Sequence, residues 1–202
     1  MRCCAVRPGL DRLQFDYMNK TRKNIFLTGA PSSGKTTVIK KVIERMGLPA
    51  NGFYTEEERV AGRRVGFLMK TLEGKKAYLA HQNIRSDFHI RRYGVSTENI
   101  ETIAVPSITP VNRNVIILDE IGKMECFSEV FKQAAIAALD SPNIVLGTIT
   151  FGGDDFILGI KKRGDIELHE VTPENRDTLP DLILKKLPGL LTVILWLKQI
   201  TR

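Results

Sequence analysis

Gly29, Gly34, Lys35 and Thr36 stand at the spacing G-x-x-x-x-G-K-[ST], and the chemistry served by that pattern is the gripping of a polyphosphate. The glycines, with Ala30, Pro31, Ser32 and Ser33 around them, let the backbone curl so that successive N–H groups point inward as an anion cradle. Lys35 then reaches the β- and γ-phosphates, Thr36 offers its hydroxyl to Mg²⁺, and a helix starting near Lys35 aims its positive end at the same anion. Such a pattern arises by chance in roughly one chain in a hundred of this length. The apolar run at 24–28 before it and the helical period after it are the context that the motif requires.

A second chemical element follows at a distance. Asp119-Glu120 comes directly after the continuous apolar run Val115-Ile116-Ile117-Leu118. Acidic residues at the end of such a strand should face the phosphate loop, with Asp119 holding Mg²⁺ through its water shell and Glu120 orienting and deprotonating the attacking water. Transfer of a phosphoryl group also calls for a cation opposite Lys35. Lys123, which follows the acidic pair closely, and Arg176, expected just inside a helix, are the favoured candidates, ahead of Arg63, Arg64, Arg91 and Arg92. His81, His89 and His169 show no metal-ligand spacing, and Cys3, Cys4 and Cys126 form no C-x-x-C pair and cannot all join in disulfides, which points to a reducing compartment.

The elements that must position these residues alternate strand and helix. Val38, Ile39, Val42, Ile43 and Met46 recur at helical spacing, and Gly47 is placed to end that helix. Residues 52–57, 64–71 and 76–80 read as three strands separated by Gly62 and by Glu73-Gly74, an antiparallel excursion laid against a βα framework. Residues 81–95 are polar and give no clear period. A helix is expected from Thr97 until Pro106 ends or kinks it. The run at 115–118 reads as a strand buried on both faces of a parallel sheet. Ser128 caps a helix that Asp140-Ser141-Pro142 stops, 144–149 is another buried strand, 156–162 a short helix and 165–171 a strand. Thr172 followed by Pro173 reads as the cap and first residue of a last helix.

Charge is uneven. Of the net +7, residues 1–23 carry +4, from six basic residues against Asp11 and Asp16, so a basic N-terminal extension precedes a body from 24 to 187. This balance fits an anionic partner, allows nucleic acid and does not require it. The first residues lack the apolar core of a signal peptide, their acids argue against a transit segment, and Met18 is a candidate start, so a cytoplasmic protein is expected. After Pro188-Gly189, residues 190–197 are apolar all round, too short to span a bilayer, and read either as packed on the body or as a partner or membrane-surface contact.

Gly29–Thr37 (residues 29–37), Gly52-Phe53-Tyr54-Thr55-Glu56-Glu57, Gly62-Arg63-Arg64-Val65-Gly66-Phe67, Asp119-Glu120-Ile121-Gly122-Lys123-Met124-Glu125, Leu146-Gly147-Thr148-Ile149 and Glu174-Asn175-Arg176 resemble, in order, the thermophilic and cancer-related nucleoside-triphosphatase family. The resemblance spans about residues 24–187. It implies an α/β fold with a mainly parallel central sheet flanked by helices, and Mg²⁺-dependent hydrolysis of ATP, GTP, CTP, UTP and TTP to diphosphates, with slower action on diphosphates. It also implies nucleotide contacts in residues 29–36 and around 115–122, Ile121 and Gly122 included. One departure is Ser32, where the family loop usually carries glycine, which bears on loop flexibility. Two other readings use the same loop. A small nucleoside or polynucleotide kinase needs an acceptor pocket and an arginine lid, for which Arg85, Arg91 and Arg92 are the material, and a nucleotide-switched binding module would use the tail or the basic start.

Overall fold

The computed structural model describes residues 22–111 and 114–200, the last ten of these by backbone alone. Most of the basic extension, with Cys3, Cys4 and Met18, and the side chains of the apolar tail beyond Leu190 lie outside the described residues.

Chain order is β1 (Asn24–Thr28), α1 (Lys35–Arg45), β2 (Ala50–Val60), β3 (Arg63–Thr71), β4 (Lys76–His81), β5 (His89–Ile90), β6 (Tyr93–Val95), a helical stretch α2 over 97–107, β7 (Val115–Ile121), α3 (Glu129–Asp140), β8 (Ile144–Ile149), α4 (Asp155–Lys161), β9 (Ile166–Glu170) and α5 (Leu179–Ile200). All nine strands make one sheet in the order β5-β6-β4-β3-β2-β7-β8-β1-β9. From β2 to β9 the neighbours are parallel, and from β2 to β5 they are antiparallel. The excursion therefore continues the central sheet edge-on through β2 and is not laid on its face.

The unbroken apolar runs are explained by the two cores. Ile25, Leu27, Val115, Ile117, Ile144 and Leu146 pack with α1 and α5, while Phe26, Ile116, Leu118 and Val145 pack with α2, α3 and α4 on the other face. Alternate side chains of one strand thus enter opposite cores, so neither face can be polar.

Four boundaries differ from the sequence expectation. β7 continues through Asp119-Glu120 to Ile121, because β8 goes on pairing with it: Leu118 faces Gly147 and Ile121 faces Ile149. One extra residue on β7 is accommodated there, a bulge that re-aims side chains. α2 stays helical to Ser107, past Pro106, passing through a π-turn at Ile100–Ala104 in which the Val105 N–H reaches Ile100 O. Thr172-Pro173 does not open a helix; residues 173–178 are turns and α5 starts at Leu179. The Asn175 side chain accepts from the Thr172 N–H (2.9 Å) and donates to Glu170 O (2.8 Å), tying this turn to the end of β9. Finally, α5 runs on through Pro188. Leu179, Ile183 and Leu187 bury one stripe of it and Leu190 extends that stripe, which outweighs one missing backbone donor.

Lys23 belongs to the folded body by its contacts. It is 3% exposed, and its Nζ donates to the carbonyls of Leu139 (2.6 Å), Ser141 (2.8 Å) and Asn143 (3.3 Å), at the C-terminal end of α3. Burial pulls its pKa down to about 8. Among the described residues no helix is long and apolar enough to cross a membrane.

Candidate active site: a phosphate loop facing a carboxylate bulge

The loop between β1 and α1 owes its shape to backbone that side chains disfavour. Gly29 (φ 141°) and Gly34 (φ 104°) occupy the left-handed region, and a side chain on Gly29 would meet Val171 O at 2.8 Å. Ser32 shares that conformation, at φ 63°, which gives the physical sense of a glycine at this position. Lys35 folds back over the loop and donates to Gly29 O (3.1 Å) and Ala30 O (3.2 Å). Two hydroxyls close to the cradle, Thr28 Oγ1 and Ser33 Oγ, are buried without a partner. Buried polar atoms are ordinarily paired, and unpaired ones gathered at one place indicate a ligand.

β7 stands two places from β1, separated by β8, so its C-terminal end opens toward the loop. Asp119 is 2% exposed. Its Oδ1 accepts from the Thr148 hydroxyl, its backbone carbonyl accepts from Thr55 Oγ1 at 2.9 Å, and its Oδ2 has no partner. Burial raises its pKa, against the opposing pull of Thr148, Thr36 and the Lys35 ammonium, in that order. Thr36 and Lys35 are therefore brought up to Asp119 as the spacing of the motifs suggested. Glu120 is pushed up to about 7, first by burial and then by the Asp119 charge. A third carboxylate, Glu125, is 2% exposed and raised well above the ordinary range by burial and by Glu120. A side chain at Gly122 would meet Glu120 Oε1 at 2.6 Å and Glu125 Oε2 at 2.9 Å, so the two carboxylates crowd the one spot that glycine leaves empty. Two buried carboxylates and the half-buried Glu120 crowd together here, a repulsion that a cation would relieve.

Do these residues fit Mg²⁺? The donors are hard oxygens: Asp119 Oδ2 unpaired, the Thr36 hydroxyl beside it, and Glu120. Among the described residues no group of three or more His, Cys, Asp or Glu is arranged to hold a metal ion by itself. Mg²⁺ binds through one or two protein oxygens plus substrate phosphates, and the Asp119 and Thr36 oxygens are of that kind.

A cavity of about 940 Å³ opens beside Asp119; Gly29, Lys35, Thr36, Glu120, Lys123 and Glu125 line it. Of the cation candidates, Lys123 and Arg64 are on its wall. Arg176 is not, but its Cδ would lie 3.7 Å from a side chain on Gly34. It sits in the turn before α5 and not inside a helix. Arg63, Arg91 and Arg92 are away from the wall, and Arg92 is engaged with Arg64 O and Tyr93. Arg85 lines a separate open hollow of about 510 Å³ with Ile84, Ser86, Asp87 and His89. The arginines of 81–95 thus form no lid over the loop. Cys126 is a buried free thiol pushed up to about 12, inert as a nucleophile.

Sequence reasoning gave no role to Thr148, Thr55 or Glu125. Thr148 carried a signal, a hydroxyl inside an otherwise apolar buried strand; the contacts of the other two come from partners far along the chain.

Against known proteins, residues 24–184 match the model of a family described as NTPase. The chain is 39% identical over 165 residues to the nucleoside-triphosphatase THEP1 of Thermotoga maritima, covering 81% of this chain and 94% of that one. It is 38% identical over 180 residues to the human cancer-related nucleoside-triphosphatase, covering 80% and 95%. The crystal structure of THEP1 from Aquifex aeolicus superposes with a TM-score of 0.74 at 38% identity, covering 81% of this chain and 98% of that one. The solution structure of the human protein gives 0.69 at 35% identity, covering 82% and 97%. With the loop, the carboxylate bulge and the sheet order all in place, the chain belongs to the NTPase family that includes these nucleoside-triphosphatases.

Proposed function

We propose that the protein is a nucleoside-triphosphatase that hydrolyses the γ-phosphate of ATP, GTP, CTP, UTP and TTP, acts more slowly on diphosphates, and works with Mg²⁺ in the cytoplasm. The observation that carries this reading is the unpaired buried Asp119 Oδ2 beside Lys35 and Thr36, with the Glu120 carboxyl next to it on the wall of one cavity. The loop N–H groups from 29 to 36 take the phosphate oxygens, and Lys35 exchanges its two loop carbonyls for the β- and γ-phosphates. Thr36 and Asp119 would hold Mg²⁺, and bound there it would neutralise charge on the triphosphate. Glu120 accepts the proton of the attacking water. Its raised pKa strengthens it as a base and costs it some of its ionised fraction near neutrality. Thr148 and Thr55 keep Asp119 in place. Lys123 is the cation we assign to the developing charge, since it shares the cavity.

Incubation with each nucleoside triphosphate and Mg²⁺, with chelator as control, and measurement of released phosphate tests this reading. Similar rates with all five bases are expected, because the assigned contacts go to phosphates and metal. A strong preference for one base, or full activity in chelator, would contradict it. Residues 24–187 are assigned as the catalytic body, so a chain ending at Leu187 should keep its activity.

A further inference from the structure

The cavity is larger than phosphates and a metal ion need, and its far end has the wrong chemistry for them. Beyond Glu120 it runs onto the antiparallel strands, where Phe67 of β3, Leu79 of β4, Ile90 of β5 and Met124 form an apolar wall. At its edge the Arg64 guanidinium lies over the Phe67 ring, 5.2 Å from the centroid, and pairs with Glu57. Glu57, opposite Phe67 on β2, supplies carboxylate oxygens on the same lining. An apolar, partly aromatic wall with a few polar groups is the lining of a small-molecule site.

The base of the bound triphosphate is a poor occupant. Phosphoryl transfer runs in line, so attacking atom and leaving group lie on opposite sides of the γ-phosphorus. With the attacker next to Glu120, the diphosphate and everything attached to it point away from the Glu120 side. The recess lies on that side, on strands farther from β1 than β7 is.

We propose that this recess is an acceptor site and that the protein also transfers the γ-phosphoryl group to the hydroxyl of a nucleoside. This rests on the reading of Glu120 as base. The nucleoside ring lies against Phe67, Leu79 and Ile90, its polar edge meets the Glu57–Arg64 pair, and its hydroxyl takes the place of the attacking water. The new bond joins that oxygen to the γ-phosphorus, the bond from the γ-phosphorus to the bridging oxygen breaks with its electron pair staying on the diphosphate, and the hydroxyl proton goes to Glu120. The products are a nucleoside monophosphate and a nucleoside diphosphate.

The full chain, incubated with Mg²⁺, γ-³²P-labelled ATP and in turn adenosine, guanosine, cytidine, uridine and thymidine, gives a direct test by separation of labelled products. Labelled nucleoside monophosphate is expected beside free phosphate for at least one nucleoside. Phe67→Ala should lower the ratio of transferred to released phosphate at least tenfold, a ratio that does not depend on how much of the variant folds. Release of phosphate with no labelled monophosphate overturns the acceptor site and leaves the triphosphatase standing, and so does a nucleoside that merely slows release. Transfer without release supports the acceptor site and removes the triphosphatase reading. Neither release nor transfer would mean that the site reading itself is wrong.

Discussion

In the parallel half of the sheet, from β2 to β9, helices close both faces; in the antiparallel half, from β2 to β5, one face carries the core and the other stays polar. The strand register places Glu56, Glu58, Lys70, Tyr78 and His81 together on that polar face. They pair there: Glu56 bridges Lys40 and Lys70, and Tyr78 donates to Glu58 at 3.1 Å. Charge in the parallel half is of another kind, with Asp119 and Glu125 each 2% exposed and Lys23 3% exposed. The comparison teaches that where water reaches a sheet, ion pairs are cheap and replaceable, while charge sunk between two helix layers persists only where ligands or backbone carbonyls hold it.

The sharpest break of this comparison is Lys35→Ala. A triphosphate in the loop loses the point charge on its β- and γ-oxygens, so hydrolysis should become undetectable and calorimetric titration should show nucleotide affinity reduced at least tenfold. Retained activity would move the chemistry out of the parallel half altogether. Glu120→Gln comes next. It keeps shape and hydrogen bonding and removes the base, so kcat should fall by about 10²–10⁴-fold with Mg²⁺–nucleotide binding preserved. Asp119→Asn should instead raise the Mg²⁺ concentration needed for half-maximal rate.

Lys23→Met tests buried charge away from the site. It strands carbonyls of Leu139, Ser141 and Asn143, and a stranded buried acceptor costs about 1–3 kcal/mol. Removal of a buried charge works in the opposite direction, so Tm at pH 7 should fall by only a few degrees. The pH dependence is the sharper readout. Lys23 in the folded chain sits at about 8 against 10.5 as the reference. Between those values the unfolded chain still binds a proton that the folded chain has released, so this residue makes stability rise with pH there. Met has no such slope, and the deficit of the variant should widen from pH 8 to pH 10. A constant deficit would mean that Lys23 titrates normally.

Glu56→Gln is the counterpart in the antiparallel half. Lys40 and Lys70 lose a partner whose side chain is 29% exposed, and such pairs contribute less than about 1 kcal/mol. At roughly 2–4 °C per kcal/mol, Tm should fall by no more than a few degrees in dilute buffer and by less at high salt.

The two halves also differed in how far the sequence exposed them. In the parallel half, unbroken apolar runs and the glycine spacing of the loop are local signals, and they located β1, β7, β8 and the helix after the loop. β5 and β6, two and three residues long, exist through their pairing with each other and with β4, and no local pattern marks them. At the expected start of the last helix Asn175 does close on the Thr172 N–H, but it also reaches Glu170 O where β9 ends, a contact that no local pattern marks. Likewise Lys35, Asp119 and Glu120 were legible as residue types, whereas Thr148 became a site residue only when β8 was seen to lie between β1 and β7. Why Asp119 is held as it is thus belongs to tertiary pairing.

The smallest expected effect is at Ser32, and it asks whether the loop of the parallel half is under strain. Ser32 has φ 63° and an exposed side chain for which no hydrogen bond exists in the described structure. A residue with a Cβ pays roughly 1–2 kcal/mol for the left-handed region, and glycine does not. Against that, glycine has more freedom to lose on folding, about 0.5–1 kcal/mol. The two terms partly offset, so Ser32→Gly should leave Tm unchanged or raise it by no more than about 6 °C. Because the left-handed turn is already formed with serine, the cradle has the same shape in both proteins, and nucleotide affinity should change less than threefold. A fall in Tm of several degrees would show that the Ser32 side chain holds the loop, and strain would then not be the reason for glycine at this position.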